Sequence, residues 1–393
     1  MAGAAPAGEL PRLGALARSM LGANQGVYIE AADGTILLQQ AASRAVHPAS
    51  VSKVPTTLAL LRGLGPDYRF VTTFSTRGRI HDGTLDGDLL IIGAGDPYFV
   101  DENALLVAQR LNQLGVREVT GELLLRGALI FDWQEDSAAT RLRQLWSGRA
   151  PPAAWAAVQS VAPGSSSPPT LLINGIASAH DAEVAGPDAG QPLLLHRSQP
   201  LLSLVKDLND YSNNIFGPLA AAAGGATAVE ALARSVVPEA MRTEITLGDG
   251  AGSDPRNRLS PRAAVKLLRA LEQELARTDH GLVDILPVAG VDEGTLRDRL
   301  NAPEDAGRVV GKTGTFGDYG ASALIGAIPT RDRGTVYFAI LNHGVRVSEA
   351  RRRQDRFVHA LLARLHTLPW TYQRDTRPAV ARAELAPAGT ATP

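Results

Sequence analysis

Three polar clusters in this chain carry the residue types that serine acyl-transfer chemistry uses: Ser50-Val51-Ser52-Lys53, Ser212-Asn213-Asn214 and Lys312-Thr313-Gly314-Thr315. Ser50 and Lys53 stand three residues apart, so on a helix they share one face. A serine at a helix start is polarised by the orphan amides there, and an amine one turn on reaches its hydroxyl. That hydroxyl is a poor nucleophile until a base takes its proton. A lysine held away from water, or close to a second cation, serves as that base near neutral pH. Acyl transfer also needs a proton relay to the leaving nitrogen, an oxyanion hole and a group for the substrate's charge. The clusters supply a candidate for each role. Ser50 attacks, Lys53 takes its proton, Ser212 with Lys312 passes a proton to the leaving nitrogen, and Asn214 orients Lys53 and the substrate amide. The amides of Ser50 and Thr315 are expected to form the oxyanion hole. The Thr313 and Thr315 hydroxyls, in the field of Lys312, suit a substrate carboxylate. Gly314 is expected to keep the strand surface clear for a peptide laid against it.

Taken singly, each cluster reads as helix capping or solvated polarity. Their joint meaning depends on the elements that carry them. His47 to Lys53 runs into the apolar segment Val54–Leu64, a helix whose early Pro55 implies a tight or distorted first turn. Leu201, Leu204, Val205 and Leu208 predict a helix that breaks at the Ser212 cluster and resumes at Ile215. Residues 307–315, 321–328 and 335–342 read as three successive strands, the first holding Lys312. Upstream, residues 11–21 read as an amphipathic helix, and residues 26–30 and 35–39 as a hairpin around Asp33-Gly34. Ser260-Pro261 opens another helix as N-cap and first residue. Residues 349–368 read as a basic closing helix. The stretch 71–131 is β-rich, and 133–200, heavy in Pro, Ser, Gly and Ala, is expected to hold loops and irregular structure.

Composition narrows the chemistry. The 393 residues are 45% hydrophobic with net charge −1, enough core for more than one domain but no basic face for nucleic acid. Zero cysteines exclude disulfides, thiolate metal sites and a cysteine nucleophile. The eight histidines include no His-Glu-x-x-His and no close pair, so no metal site is expected. No apolar run reaches membrane length. Met1 to Met20 lacks a basic n-region followed by an apolar h-region. Gly307 to Thr313 misses a phosphate loop by one residue and leads into a strand rather than a helix.

The three motifs, in this order, resemble those of β-lactamases and penicillin-binding proteins. Their spacing resembles the D-alanyl-D-alanine carboxypeptidase/endopeptidase family of low-molecular-mass, class C penicillin-binding proteins, which carry a domain inserted between the first two motifs. The two serines are 212 − 50 = 162 residues apart. Gly95-Asp96-Pro97, Asp249-Gly250-Ala251-Gly252, Leu286 to Gly290 and Gly294-Thr295-Leu296 are similar to the family too. The resemblance implies an α/β fold: a β-lactamase/transpeptidase-like domain, an antiparallel sheet flanked by helices, over 1–70 and 198–375. A β-rich domain is inserted over 71–197, and 376–393 is expected to be a disordered tail. It implies penicillin-sensitive removal of D-Ala from peptidoglycan stem peptides ending D-Ala-D-Ala, with β-lactams as covalent inhibitors and no metal or organic cofactor. A periplasmic or otherwise extracytoplasmic location follows, which requires an export signal that the sequence does not display. The alternatives are a DD-endopeptidase acting on cross-links and an inactive homologue that only binds cell wall. Asn213 replaces the commoner Asp of the middle motif, at a position given no role in the scheme. No Glu-x-x-Leu-Asn lies between Ser50 and Ser212 to deacylate a penicilloyl-enzyme.

Overall fold

The structure, a computed structural model, describes residues 9–164, 166–179, 190–318 and 320–388. Contacts divide it into two compact units. One runs to Pro66 and resumes over Val205–Arg374; the other comprises Asp67–Leu204 and the chain from Asp375 onward.

The first unit is built on a five-stranded antiparallel sheet. Its order is Val310–Phe316, Ala321–Thr330, Gly334–His343, Gly26–Glu30 and Ile36–Gln40. Gly26–Glu30 is buried at every position, because helices cover both faces. Val27 and Ile29 join one core with Leu13, Ala17 and Leu21 of the helix Glu9–Leu21 and with Phe357 and Leu361 of the helix Val347–Leu362. Tyr28 and Glu30 alternate to the other face, under the helix Pro261–Ala276. That helix starts as expected: Ser260 Oγ accepts from the Ala263 amide at 3.1 Å, and proline fills the first position. It packs in turn on the helix Lys53–Leu64. The distortion implied by Pro55 is a 3-10 turn, Ala49–Ser52, leading into that helix.

The second unit holds a six-stranded mixed sheet. The helix Asp101–Gln113 connects its parallel neighbours Leu89–Ala94 and Leu123–Ala128. Gly95-Asp96-Pro97 makes the turn before that helix, with Asp96 Oδ1 accepting from the Tyr98 amide at 2.9 Å.

Two expectations need correction here. Residues 133–200 include the helices Thr140–Ser147 and Pro152–Val161, and the strand Gln191–Arg197. Leu142 and Trp146 are buried one turn apart, Trp155 and Val158 likewise, and the Trp146 indole donates to the Ala104 carbonyl at 2.9 Å. Alanine read there as low complexity is a strong helix former once two tryptophans anchor it. The tail is not disordered through residue 388. Glu384–Pro387 adds an edge strand to Gln191–Arg197, Val380 is buried, and Arg69 donates to the Arg382 carbonyl at 2.9 Å and pairs with Glu384. An open sheet edge and one arginine order a segment whose composition hides its few apolar residues; 389–393 lie outside the described residues.

Among the described residues, no single helix is long and apolar enough to cross a membrane.

Glu30 ties the first unit's sheet to its covering helix. The buried carboxylate accepts from Lys266 Nζ at 2.6 and 2.7 Å, from Tyr28 Oη at 2.7 Å, and from Arg269. Removing one partner of a buried pair leaves uncompensated charge, at a cost of about 3–5 kcal/mol. Glu30→Ala is therefore expected to lower the urea midpoint of the first unit by that equivalent. A midpoint within about 0.5 kcal/mol of wild type would contradict this role.

Candidate active site

Lys53 is the first residue of its helix and is fully buried. Its Nζ lies 2.7 Å from Ser50 Oγ, 3.2 Å from Asn214 Oδ1 and 2.7 Å from the Ala251 carbonyl. The first and second sequence clusters thus meet at one amine. Burial lowers the Lys53 pKa to about 8, against the raising effect of the Asp249 carboxylate.

The third cluster joins through Lys312, also fully buried. Its Nζ donates to Ser212 Oγ at 2.8 Å and to the Thr313 carbonyl at 3.1 Å. Desolvation and then the charge of Lys53 push its pKa well down, while Asp210 opposes them. Thr313 is buried; Thr315 is exposed, and its Oγ accepts from Arg351 Nη2 at 2.6 Å.

Backbone approaches fix these positions. A Cβ on Gly314 would lie 2.5 Å from the Pro48 carbonyl oxygen and 3.2 Å from the Ser50 nitrogen. Beside the expected role of keeping the strand clear for substrate, this glycine lets the strand pass against the serine turn itself. On the other side Gly252, at φ +90°, would place a Cβ 2.0 Å from the Ala49 carbonyl oxygen. Its loop is organised by the Asp249 carboxylate, which accepts from the amides of Gly252, Ser253 and Asp254 and from Asn257 Nδ2. That folding turns the Ala251 carbonyl toward Lys53. Asp249, Ala251 and Gly252 stood out in the sequence only as part of a family-like stretch, with no task assigned to them.

The Ser212 turn is held similarly. Ser212 has a left-handed φ of 55°. Asn213, given no role from sequence, accepts the Ile215 amide on its Oδ1 at 2.9 Å and so shapes the break between helices. The Asp210 carbonyl accepts from the Thr295 amide at 2.8 Å, with Gly294 packed against it. Lys206 Nζ donates to Asp292 Oδ2 and the Leu286 carbonyl, both at 2.6 Å, and lies 3.5 Å from Asp210. Burial raises the Asp210 pKa to about 7, with Lys206 opposing.

His47 is structural. Its Nδ1 accepts from the Ala49 amide at 3.1 Å, so Nε2 carries the proton and donates to the Asp254 carbonyl at 3.0 Å. The ring stacks on Phe316 with centroids 3.9 Å apart. Among the described residues, no group of three His, Asp or Glu side chains has metal-holding geometry.

A serine at a helix start, a buried lysine one turn on, a Ser-Asn-Asn turn and a lysine-bearing edge strand define a β-lactamase/transpeptidase-like fold with an inserted, strand-rich unit. Solved structures share it. The Bd3459 predatory endopeptidase of Bdellovibrio bacteriovorus, solved acylated by penicillin G and in complex with immunity protein Bd3460, is similar at TM-score 0.79 and 22% identity, covering 92% of this chain and 99% of that one. Penicillin binding protein 4 (dacB) from Haemophilus influenzae is similar at TM-score 0.65 and 18% identity, covering 90% and 99%. Residues 14–144 and 170–364 match the D-Ala-D-Ala carboxypeptidase 3 (S13) family, and the chain belongs to it. D-alanyl-D-alanine carboxypeptidase DacB of Haemophilus influenzae is 31% identical over 77 residues, a stretch that spans 20% of this chain and 16% of that relative.

The glycine contacts make a testable statement about geometry. A Cβ on Gly252 meets backbone, which cannot rotate away, at a φ that side chains rarely adopt. Gly252→Ala is expected to destabilise by about 1–3 kcal/mol. Gly217→Ala, where nothing lies within 4 Å of the added carbon, is the matched control. Equal urea midpoints for the two variants would refute the close approach.

Proposed function

We propose that this chain is a penicillin-sensitive serine DD-peptidase that releases the terminal D-Ala from peptidoglycan stem peptides ending D-Ala-D-Ala. One observation carries the reading: the hydrogen-bond set of Lys53. Asn214 Oδ1 and the Ala251 carbonyl only accept, so two N–H groups of the amine point at them. The remaining direction faces Ser50 Oγ. When Lys53 is neutral that direction holds its lone pair, and the serine hydroxyl donates into it.

Ser50 Oγ then adds to the carbonyl of the penultimate D-Ala, and its proton passes to Lys53. The Ser50 and Thr315 amides receive the oxyanion. In support, the Thr313 carbonyl is within reach of Lys312, away from the neighbouring strand. In an antiparallel ladder the residue two positions on has the same outlook, which turns the Thr315 amide to the open edge. As the C–N bond breaks, the leaving amine takes a proton from Ser212, which Lys312 resupplies. Water then cleaves the ester on Ser50. The scheme needs no metal or organic cofactor. A β-lactam enters the same way: Ser50 opens its ring, and the penicilloyl ester is expected to persist because the chain contains no Glu-x-x-Leu-Asn, the deacylating motif of class A β-lactamases.

The structural likeness to a predatory endopeptidase favours one second reading, cleavage of peptidoglycan cross-links by the same Ser50 chemistry. An inactive homologue fits less well, because two fully buried lysines are costly to keep without a task. On either active reading the protein works where peptidoglycan is, in the periplasm or otherwise outside the inner membrane.

Intact mass after benzylpenicillin treatment is expected to show one stable adduct on wild type and none on Ser50→Ala. D-Ala release from a D-Ala-D-Ala peptide, set against cleavage of a cross-linked dimer, separates the two active readings. Folded wild type with neither adduct nor turnover would overturn both. The pH profile follows from the base. Protonated Lys53 cannot accept a proton, so acylation is expected to rise about tenfold per pH unit below its pKa of about 8 and to level above it. Lys53→Ala removes the base and is expected to slow acylation by about 10²- to 10⁴-fold. A profile flat from pH 6 to 9 would assign the base elsewhere.

A further inference from the structure

The helix Val347–Leu362 covers the face of the sheet on which Leu324, Phe338 and Ile340 join Phe357 and Leu361 in one apolar core. The last row of that face differs from the rest. Thr315, Ser322 and Asn342 are register partners across three strands, so their side chains leave the sheet on the same side. Ser322 and Asn342 are buried. Apolar side chains there would simply extend the core. The chain instead buries polar groups, which cost free energy unless each finds a partner.

Gln354 of the same helix, fully buried, supplies the partners. Its Nε2 donates to Asn342 Oδ1 at 2.8 Å and faces the carbonyl and hydroxyl oxygens of Ser322, both at 3.2 Å. Its Oε1 accepts from Arg299 Nη2 at 2.9 Å, and Asp355 holds Arg299 at 2.6 Å. Asn342 Nδ2 donates in turn to Gln25 Oε1 at 3.1 Å. A guanidinium only donates, so each amide in this chain has one orientation, and the bonds run in one direction from Arg299 to Gln25. Directional bonds of this kind fix positions that apolar packing leaves able to slide. They act where the sheet gives least support. Val310–Phe316, the lysine-bearing strand, is the sheet's edge, and Ser322 on its one neighbouring strand is the partner of Thr315.

We propose that Gln354 is a positioning residue for acyl transfer: by holding Ser322 it sets where the Thr315 amide, the oxyanion donor, stands against Ser50. This rests on the Ser50 peptidase reading above and on its assignment of the Thr315 amide. The oxyanion exists only once Ser50 has added to the carbonyl. A displaced donor therefore weakens the transition state and leaves substrate binding as it was. The hydrogen bonds of Gln354 go to Ser322, Asn342 and Arg299 rather than to either lysine, so the proton transfers keep their groups.

The test is steady-state cleavage of an acyl-D-Ala-D-Ala peptide. Acylation and deacylation both pass through the same oxyanion, so kcat reports the effect whichever step limits. Gln354→Leu fills the space and removes the bonds; it is expected to lower kcat about 10- to 100-fold with KM within about twofold of wild type. The acid limb of its pH profile, set by Lys53, is expected to stay in place. Gln354→Met, whose flexible side chain adapts to the same space, replaces it should Gln354→Leu not fold. Leu361→Ala, which opens the core on the same helix without touching the polar row, is the control. Its urea midpoint is expected to fall at least as far while kcat stays within about threefold. A Gln354 variant that keeps kcat within about threefold, or whose loss is confined to KM, overturns the proposal. So does a Leu361→Ala enzyme that loses as much kcat for the same fall in midpoint. Failure of the Ser50 reading looks different: wild type then forms no benzylpenicillin adduct and cleaves no peptide, and the proposal falls with it.

Discussion

Two lysine amines buried in one cleft are the constraint on which the rest of the first unit depends. Each is fully buried, and two cations in a low-dielectric space repel while neither is solvated. The fold answers with acceptors rather than direct ion pairs. Lys53 faces Ser50, Asn214 and the Ala251 carbonyl; Lys312 faces Ser212 and the Thr313 carbonyl. Carboxylates act from behind: Asp249 supports the proton of Lys53 and Asp210 that of Lys312. Direct pairing would hold both lysines charged. Acceptor oxygens with distant carboxylates leave Lys53 near pH 8, where its proton can be exchanged.

Such an arrangement tolerates little movement, and three backbone contacts supply the rigidity. Gly252 sits on the Ala49 carbonyl, Gly314 on the Pro48 carbonyl and Gly294 on the Asp210 carbonyl, each where a Cβ would overlap backbone atoms. The serine turn is thus held between a loop and a strand, and the Ser212 turn is held by a third segment. Ala49, at φ 50°, and Ser212, at φ 55°, sit in strained left-handed conformations that these contacts keep in place.

What the sequence revealed divides along the same line. The convergence of the lysines, serines and asparagine was legible because the serine acyl transfer proposed for them calls for those side chains at those spacings. Individual strands and the covering helices were legible from turn signals and apolar periodicity, whereas the antiparallel sheet they build was implied by the family resemblance. Main-chain groups were not legible. Nothing in the letters Asp249-Gly-Ala-Gly252 announces that a carbonyl there receives an amine 198 positions away in sequence. The packing of Gly314 on the serine turn was not legible either, because a strand glycine can serve a ligand, a neighbouring turn or both. Asn213 escaped because its task is to close a turn. The helices of 140–161 and the strand of 384–387 were missed for another reason. Their stability comes from tertiary partners, Trp146 on Ala104 and Arg69 on the tail, which outweigh a composition that reads as loop.

The charge behind Ser212 completes the account. Lys206, Asp210 and Asp292 are buried together, and the Tyr372 hydroxyl donates to Asp292 at 2.7 Å. One cation facing two carboxylates leaves an excess negative charge, and its release falls on Asp210, whose burial raises its pKa to about 7. Lys206 sits 2.6 Å from Asp292 but 3.5 Å from Asp210, so Asp292 holds the tighter pair. Asp210 is two residues before Ser212, and its ionised form favours the proton of Lys312. Taking up a proton below about pH 7, Asp210 withdraws that support. The lysine's proton affinity then falls where acidity would otherwise keep it charged. Asp210 lies in the turn that presents Ser212, so the geometry of Ser212 and the electrostatic support of Lys312 come from one short segment of chain.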